Sequence, residues 1–243
     1  RPRLVGSEMC IRDRINGLEK LEYRGYDSAG IAIINSENNC ISCKKAEGKL
    51  KNLISNLNDH NIPGTVGIGH TRWATHGKPE VKNAHPHTDS SGNIAVVQNG
   101  IIENFQDLKN KLEEEGIIFN SDTDTEVIPH LIQRELNTLS KLNLENNGST
   151  LLVAVRNVLS DLEGSYALAV LWSGAPTSLV VARRQAPLII GLGEGEFICA
   201  SDTPAIANFT NIILPMEDEE IALLTPLGIE IYDSSNERQY RNP

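Results

Sequence analysis

Apolar residues along this chain follow two rhythms. Short alternating or continuous apolar runs, bounded by Gly, Pro, Asn and Ser, predict strands over 30–34, 66–69, 94–97, 166–172, 179–182, 188–190, 197–200 and 220–224. A period near 3.6 predicts three amphipathic helices. Residues 105–116 set Phe105, Leu108 and Leu112 on one stripe, and 125–136 set Val127, Ile128, Leu131 and Ile132 on one face. Residues 151–162 repeat the pattern with Leu152, Val155, Leu159 and Leu162. The strands come in hairpin-like clusters and do not alternate strictly with helices. That disfavours a doubly wound parallel sheet and predicts an α+β fold of antiparallel sheets covered by helices. The polar stretch 137–150 reads as a loop between the second and third helices. No linker-like composition divides the chain, so residues 15–243 read as one domain. Residues 1–14 fit neither rhythm and read as a non-native or irregular leader, while 234–243 turn polar as where a domain is cut from a longer chain.

Composition removes several function classes. The chain has 243 residues with 22 basic and 32 acidic side chains, a net charge of −10, which repels phosphate backbones and argues against nucleic acid as a partner. No apolar run approaches the ~20 residues that span a bilayer, so no membrane partner is expected. Four cysteines are too few for a disulfide framework and read as cytoplasmic thiols.

Candidate chemistry is densest at 69–77, Gly-His-Thr-Arg-Trp-Ala-Thr-His-Gly, followed by Asn83-Ala-His-Pro-His87. An arginine fork there suits a substrate carboxylate, because its parallel N–H groups match both oxygens. A histidine-rich surface loop with a structural arginine is the plain alternative. Zinc held by His85 and His87 with His70 or His76 is a third reading, without a supporting H-E-x-x-H or paired-Cys motif, so no metal is expected. Asn99-Gly100, between apolar runs, reads as a hairpin turn or as an oxyanion hole built from an amide and a backbone N–H. Thr123-x-x-Glu126 reads as a capping box ahead of a helix, which leaves Asp124 without a chemical role on pattern alone. Cys40-x-x-Cys43 reads as two thiols on one face of a strand. Gly191-Leu-Gly-Glu-Gly-Glu196 lacks the last glycine of a dinucleotide fingerprint and reads as a tight turn between strands. With no phosphate loop elsewhere, no cofactor is expected.

Together, Leu21-Glu-Tyr-Arg-Gly-Tyr-Asp-Ser-Ala-Gly30, His70-Thr-Arg-Trp-Ala-Thr-His76, Asn83-Ala-His-Pro-His87, Asn99-Gly-Ile-Ile-Glu-Asn104, Thr123-Asp-Thr-Glu126 and Ala200-Ser-Asp202 form a specific set. The chain resembles, from about Ile15 to its end, the N-terminal glutaminase domain of the glutamine–fructose-6-phosphate aminotransferases, which are class II glutamine amidotransferases. The resemblance implies an N-terminal nucleophile (Ntn) hydrolase fold, a four-layer αββα sandwich of antiparallel sheets. It implies a cytoplasmic, homo-oligomeric parent enzyme of amino-sugar metabolism that takes L-glutamine. A cysteine thiolate would attack the glutamine amide, ammonia would leave, and a thioester would be hydrolysed. By the same resemblance Arg72 grips the α-carboxylate with help from Thr75 and His76, and Trp73 belongs to a loop closing over the substrate. Asn99 and Gly100 form the oxyanion hole, and Asp124 receives the α-ammonium.

The chain departs from that family at its start. The family begins Met-Cys-Gly-Ile on a buried strand, whereas Met9-Cys10 is followed by Ile11-Arg-Asp-Arg14, whose three charges suit a central strand poorly. The spacing from Cys10 to Tyr23 is also too short for a strand, a loop and a helix. The expectation is therefore a domain with its glutamine pocket present and its nucleophile and N-terminal strand missing, binding glutamine weakly and not hydrolysing it. Fructose 6-phosphate would be met only through an isomerase region that is absent here. A non-catalytic glutamine-binding or regulatory module is the alternative.

Overall fold

The structure is a computed structural model that describes residues 15–57, 63–73 and 77–241. The expected leader, with Cys10, lies outside the described residues. After a helical stretch at 15–19, strands β1 (Ser28–Ile34) and β2 (Ile41–Glu47) lead to helix α1 (Leu50–Leu57) and strand β3 (Gly67–Arg72). A short β4 (His87–Thr88) and a long β5 (Ile94–Ile102) precede helices α2 (Phe105–Glu114), α3 (Val127–Lys141) and α4 (Gly148–Leu159). The remainder is strand: β6 (Gly164–Trp172), β7 (Leu179–Arg184), β8 (Ile189–Leu192), β9 (Phe197–Ala200), β10 (Ile213–Pro215), β11 (Ile221–Thr225), β12 (Gly228–Tyr232) and β13 (Arg238–Gln239).

Among the described residues these strands form one seven-stranded sheet, in the order β13-β12-β11-β7-β6-β5-β4, and two three-stranded sheets, β2-β1-β3 and β10-β8-β9. All named strand pairs are antiparallel. Alternation along each strand decides the layers. Ile94, Val96, Leu168, Val170, Val180, Ala182, Ile221 and Leu223 of the large sheet pack against the apolar stripes of α2, α3 and α4. The residues between them face the other way. Ala95, Val97 and Leu171 meet Ala32, Ile34 and Ile68 of β1 and β3, while Ala167, Val181, Ala222 and Leu224 meet Ile190 and Leu214 of β8 and β10. Ala29, Ile31 and Ile33, on the outer face of β1, are covered by Leu50, Leu53 and Leu57 of α1 and by Leu18. The result is helix, sheet, sheet, helix, the second sheet layer being two small sheets on the same face of the large one.

Several expectations are corrected. Asn99-Gly100 is not a hairpin turn: β5 runs through it, with Asn99 opposite Ala167 and Gly100 opposite Tyr166. Gly100 has φ +108°, and a Cβ there would lie 2.2 Å from the Ser165 carbonyl oxygen, so glycine serves a close strand-to-strand approach and not a reversal. The capping box does not form. Thr123 makes no cap bond, and Glu126 reaches past it to accept from the N–H groups of Asn120 (2.8 Å) and Ser121 (2.6 Å). The loop expected over 137–150 shrinks to 142–147, because α3 continues to Lys141 and Asn147 caps α4 by accepting from Thr150 N–H (2.9 Å). Cys40 and Cys43 do not share a strand face. Cys40 precedes β2 and is exposed, while the buried side of β2 holds the Cys43 thiol near the Pro86 carbonyl. An offset of three cannot keep one face at a period of two.

Candidate active site

A cavity of about 820 Å³ opens between the two small sheets. Its floor is the large sheet, through Val97 and Asn99 of β5, Ala167 and Ala169 of β6 and Leu179 of β7. Its sides are two strand edges. Residues 65–73 line it continuously along β3, and 195–201 along β9, and neither strand has a partner on that side among the described residues.

The polar groups gather at one end. Asn99 follows Ala95 and Val97 by alternation, so it points from the floor into the cavity layer. Ile68 contacts the large sheet, and the same phase puts His70 and Arg72 on that face of β3. His70 Nε2 lies 2.8 Å from Asn99 Oδ1. Arg72 is 4% exposed; its guanidinium donates to the Gly77 carbonyl (3.2 Å) and pairs with Asp27 Oδ1 at 3.5 Å. Asp124, also 4% exposed, opens the turn before α3, where its Oδ2 accepts from Ile102 N–H (2.8 Å) at the end of β5. Arg72, Trp73, Asn99, Gly100 and Asp124 all line the one cavity. Trp73 is 66% exposed at the mouth. A Cβ on Gly25 would lie 1.9 Å from the indole, so the bare glycine lets the ring rest on the Tyr23–Tyr26 turn. Thr75 and His76 lie outside the described residues.

Two strings from opposite ends of the chain prove to be one structure at the rim. Tyr23 donates to Asp202, and Arg24 donates to Ser201 Oγ (3.0 Å) and Asp202 Oδ2 (2.6 Å), tying the Tyr-Arg turn to the end of β9. Pattern reading missed Asp27 as a partner of the site and met His70 only as a candidate zinc ligand. Both lie inside the quoted strings, but only the β1–β3 pairing brings Asp27 beside Arg72, and only the packing of that sheet on the large one brings His70 beside Asn99.

Three imidazoles stack behind the cavity wall. His70 and His85 lie 4.2 Å apart, nearly parallel, and His85 and His87 meet edge-on at 4.8 Å. A Cβ on Gly30 would fall 2.2 Å from the His85 carbonyl oxygen, so the missing side chain is what admits this segment against β1. Burial pushes His70 down to about 4, with Arg72 adding to the effect. It pushes His85 well below its usual range, helped by the neighbouring imidazoles, and His87 down to about 3, helped by Lys45. Glu126 goes the other way: burial alone would raise it, but His130 and the N–H groups of Asn120 and Ser121 hold it near 2. The native state therefore keeps these three imidazoles neutral while in the unfolded chain they protonate near pH 6.5, so the stability they contribute is complete above that pH and is lost as pH falls towards 4 and 3. Thermal midpoints are expected to be level from pH 8 to 7 and to fall from about pH 6.5 downward. A decline confined to the region below about pH 4.5 would assign acid sensitivity to carboxylates such as Glu126 alone.

Among the described residues no three His, Cys, Asp or Glu side chains form a metal-holding group, and no helix is long and apolar enough to cross a membrane. Within the histidine stack, His85 Nδ1 accepts from the Gln98 N–H (3.3 Å) and His87 Nε2 meets Thr123 Oγ1 (3.0 Å). Cys199 is the one thiol lining the cavity among the described residues, and burial pushes it up to about 12, so it stays a protonated, unreactive thiol.

The family model for the glutamine amidotransferase domain matches residues 70–208, which include the arginine loop, the Asn-Gly step and Asp124. The chain belongs to the glutamine amidotransferase family. Almost all of it is similar to proteins named glutamine–fructose-6-phosphate aminotransferase (isomerizing): 52% identical over 239 residues to that of Thermosynechococcus vestitus, covering 98% of this chain and 37% of the relative. The Methanosarcina acetivorans protein of the same name is 49% identical over 221 residues, covering 90% of this chain and 35% of its own. The chain thus spans little more than a third of the length of the curated relatives it matches. Among solved structures, glutamine phosphoribosylpyrophosphate amidotransferase from B. subtilis, complexed with ADP and GMP, superposes with a TM-score of 0.75 at 29% identity, over 95% of this chain and 47% of that one. The allosteric regulatory enzyme of purine biosynthesis gives 0.76 at 30% identity with the same coverage. The helix–sheet–sheet–helix order is accordingly the amidotransferase Ntn fold, as the resemblance implied.

Proposed function

We propose that this domain binds L-glutamine in the cavity between the two small sheets and is built to release ammonia from its side-chain amide. The supporting observation is convergence: one cavity gathers a buried guanidinium, a buried carboxylate and an amide-plus-glycine step. Arg72 is the fork for the α-carboxylate and Asp124 the partner of the α-ammonium. The Asn99 amide and Gly100 N–H would stabilise the tetrahedral oxyanion. Trp73, Thr75 and His76 would border the bound amino acid. As part of a longer protein, the ammonia would pass to fructose 6-phosphate at a separate isomerase site, the reaction named for the relatives. The free thiols at Cys40, Cys43 and Cys199 support a cytoplasmic setting.

Hydrolysis needs a thiolate that the described residues do not supply, since Cys199 is held as a thiol. The two strand edges facing the cavity, each without a neighbouring strand among the described residues, suit an intervening strand, and a Cys-Gly-Ile-Val start would place a nucleophile on it, whereas Ile11-Arg-Asp-Arg14 after Cys10 suits that place poorly. The chain as given is therefore expected to bind glutamine in calorimetry and to release no ammonia. Replacing residues 1–14 with a segment beginning Cys-Gly-Ile-Val is expected to start ammonia release and to raise the melting temperature. Turnover by the unaltered chain that disappears in Cys10→Ser would refute the missing-nucleophile reading. Glutamine binding without turnover in the grafted protein would favour the non-catalytic module instead.

A further inference from the structure

We propose that His70 is a positioning residue that fixes which end of the Asn99 amide meets the substrate. The inference rests on the glutaminase reading only for the use to which that amide is put. A carbonyl oxygen can only accept, so the 2.8 Å contact between His70 Nε2 and Asn99 Oδ1 requires the hydrogen on Nε2. With Oδ1 so engaged, the two N–H donors are what the Asn99 side chain has left to offer the cavity. Were the hydrogen on Nδ1 instead, Nε2 would be an acceptor, the amide would invert, and a carbonyl oxygen would face the site of developing negative charge. The tautomer of one imidazole thus selects between a donor and a repelling acceptor at the reacting atom.

The ring has little freedom to change. His70 is paired to Gly30 in the β1–β3 register and lies flat against His85. His85 is in turn held by the Gln98 N–H, and His87 beyond it by Thr123, the residue preceding Asp124. One packed column therefore connects the segment carrying Asp124 to the amide of Asn99. It is a support and not a proton wire, because the rings meet through faces and edges with no ring-to-ring hydrogen bond. The charged groups acting on His70 are Arg72 and Asp27, and burial keeps the imidazole neutral at pH 7, so the ring carries one hydrogen, which the Asn99 contact assigns to Nε2.

The test uses the full chain labelled with nitrogen-15, with ring tautomers read from long-range proton–nitrogen correlations at pH 7. His70 is expected to carry its hydrogen on Nε2, and an Nδ1–H tautomer would overturn the proposal. Titration with L-glutamine is expected to shift the Asn99 side-chain NH₂ resonances in the unaltered chain. In His70→Leu that response should be lost while backbone resonances away from the His70–His85–His87 column keep their positions, which separates loss of the positioning contact from loss of the fold. In His70→Gln, whose amide N–H reaches the same place as Nε2, the response should return. An undiminished Asn99 response in His70→Leu would also overturn the proposal. Failure of glutamine to shift any resonance of the unaltered chain would count against the glutaminase reading, and the tautomer would still decide the role of His70.

Discussion

Replacing Arg72 by Leu is expected to weaken L-glutamine binding by on the order of 100-fold or more, read by calorimetry on the purified chain. The guanidinium is nearly sheathed by protein, with its side chain 5% exposed beside Asp27 and under the Gly77 and Lys78 carbonyls. A carboxylate entering the cavity would meet a cation already desolvated and oriented, which is where a charge-assisted pair is strongest. The same substitution leaves Asp27 and the two carbonyls without this donor, so a stability loss of roughly 3 kcal/mol accompanies it. Arg72→Lys separates the two effects. The ammonium restores charge but not the fork, so melting should recover more than affinity does. Glutamine affinity in Arg72→Leu within a few-fold of the unaltered chain would remove Arg72 from the carboxylate site.

Asp124 allows a sharper separation, because its carboxylate has a visible structural duty. Asp124→Asn keeps an oxygen for the Ile102 N–H, so the fold is expected to hold within about 1 kcal/mol while glutamine affinity falls roughly 30-fold through loss of the ammonium's counter-charge. Asp124→Ala removes the acceptor as well, leaving a buried N–H unpaired at the end of β5 and costing about 1–3 kcal/mol more in chemical unfolding. If Asn and Ala weaken binding equally but the Asn variant also unfolds early, the residue is structural and the ammonium is held elsewhere.

Local pattern was a good guide wherever burial on one face set the element. Phe197–Ala200 is a strand with the expected bounds, and the apolar stripes of α2, α3 and α4 pack on the large sheet as their period requires. It failed where side chains answer to distant partners. β2 (Ile41–Glu47) carries Lys44 and Lys45, and the sequence marked a strand there only through its two thiols and with the wrong face for one of them, because its pairing to β1 and not its own hydrophobicity holds it. The capping box was a sound local inference, defeated because Thr123 turns to His87 and Glu126 to Asn120 and Ser121. Asn99-Gly100 has the composition of a turn, yet its pairing with Ala167 and Tyr166 of the long strand β6 keeps it extended.

What the sequence alone determined is therefore the inventory: an acidic α+β domain, its apolar stripes, and strings of residues whose types suit a carboxylate, an ammonium and an oxyanion. Periodicity and residue chemistry are local properties, and they survive without coordinates. Only the tertiary structure decided that these strings share one cavity, that Asp27 and His70 belong with Arg72 and Asn99, and that Cys199 is chemically quiet beside them. Those facts depend on strand register and on burial. Register is fixed by which edges pair across dozens of residues, and burial shifts a proton affinity by how much water the whole fold excludes, so neither can be read from neighbours in the chain.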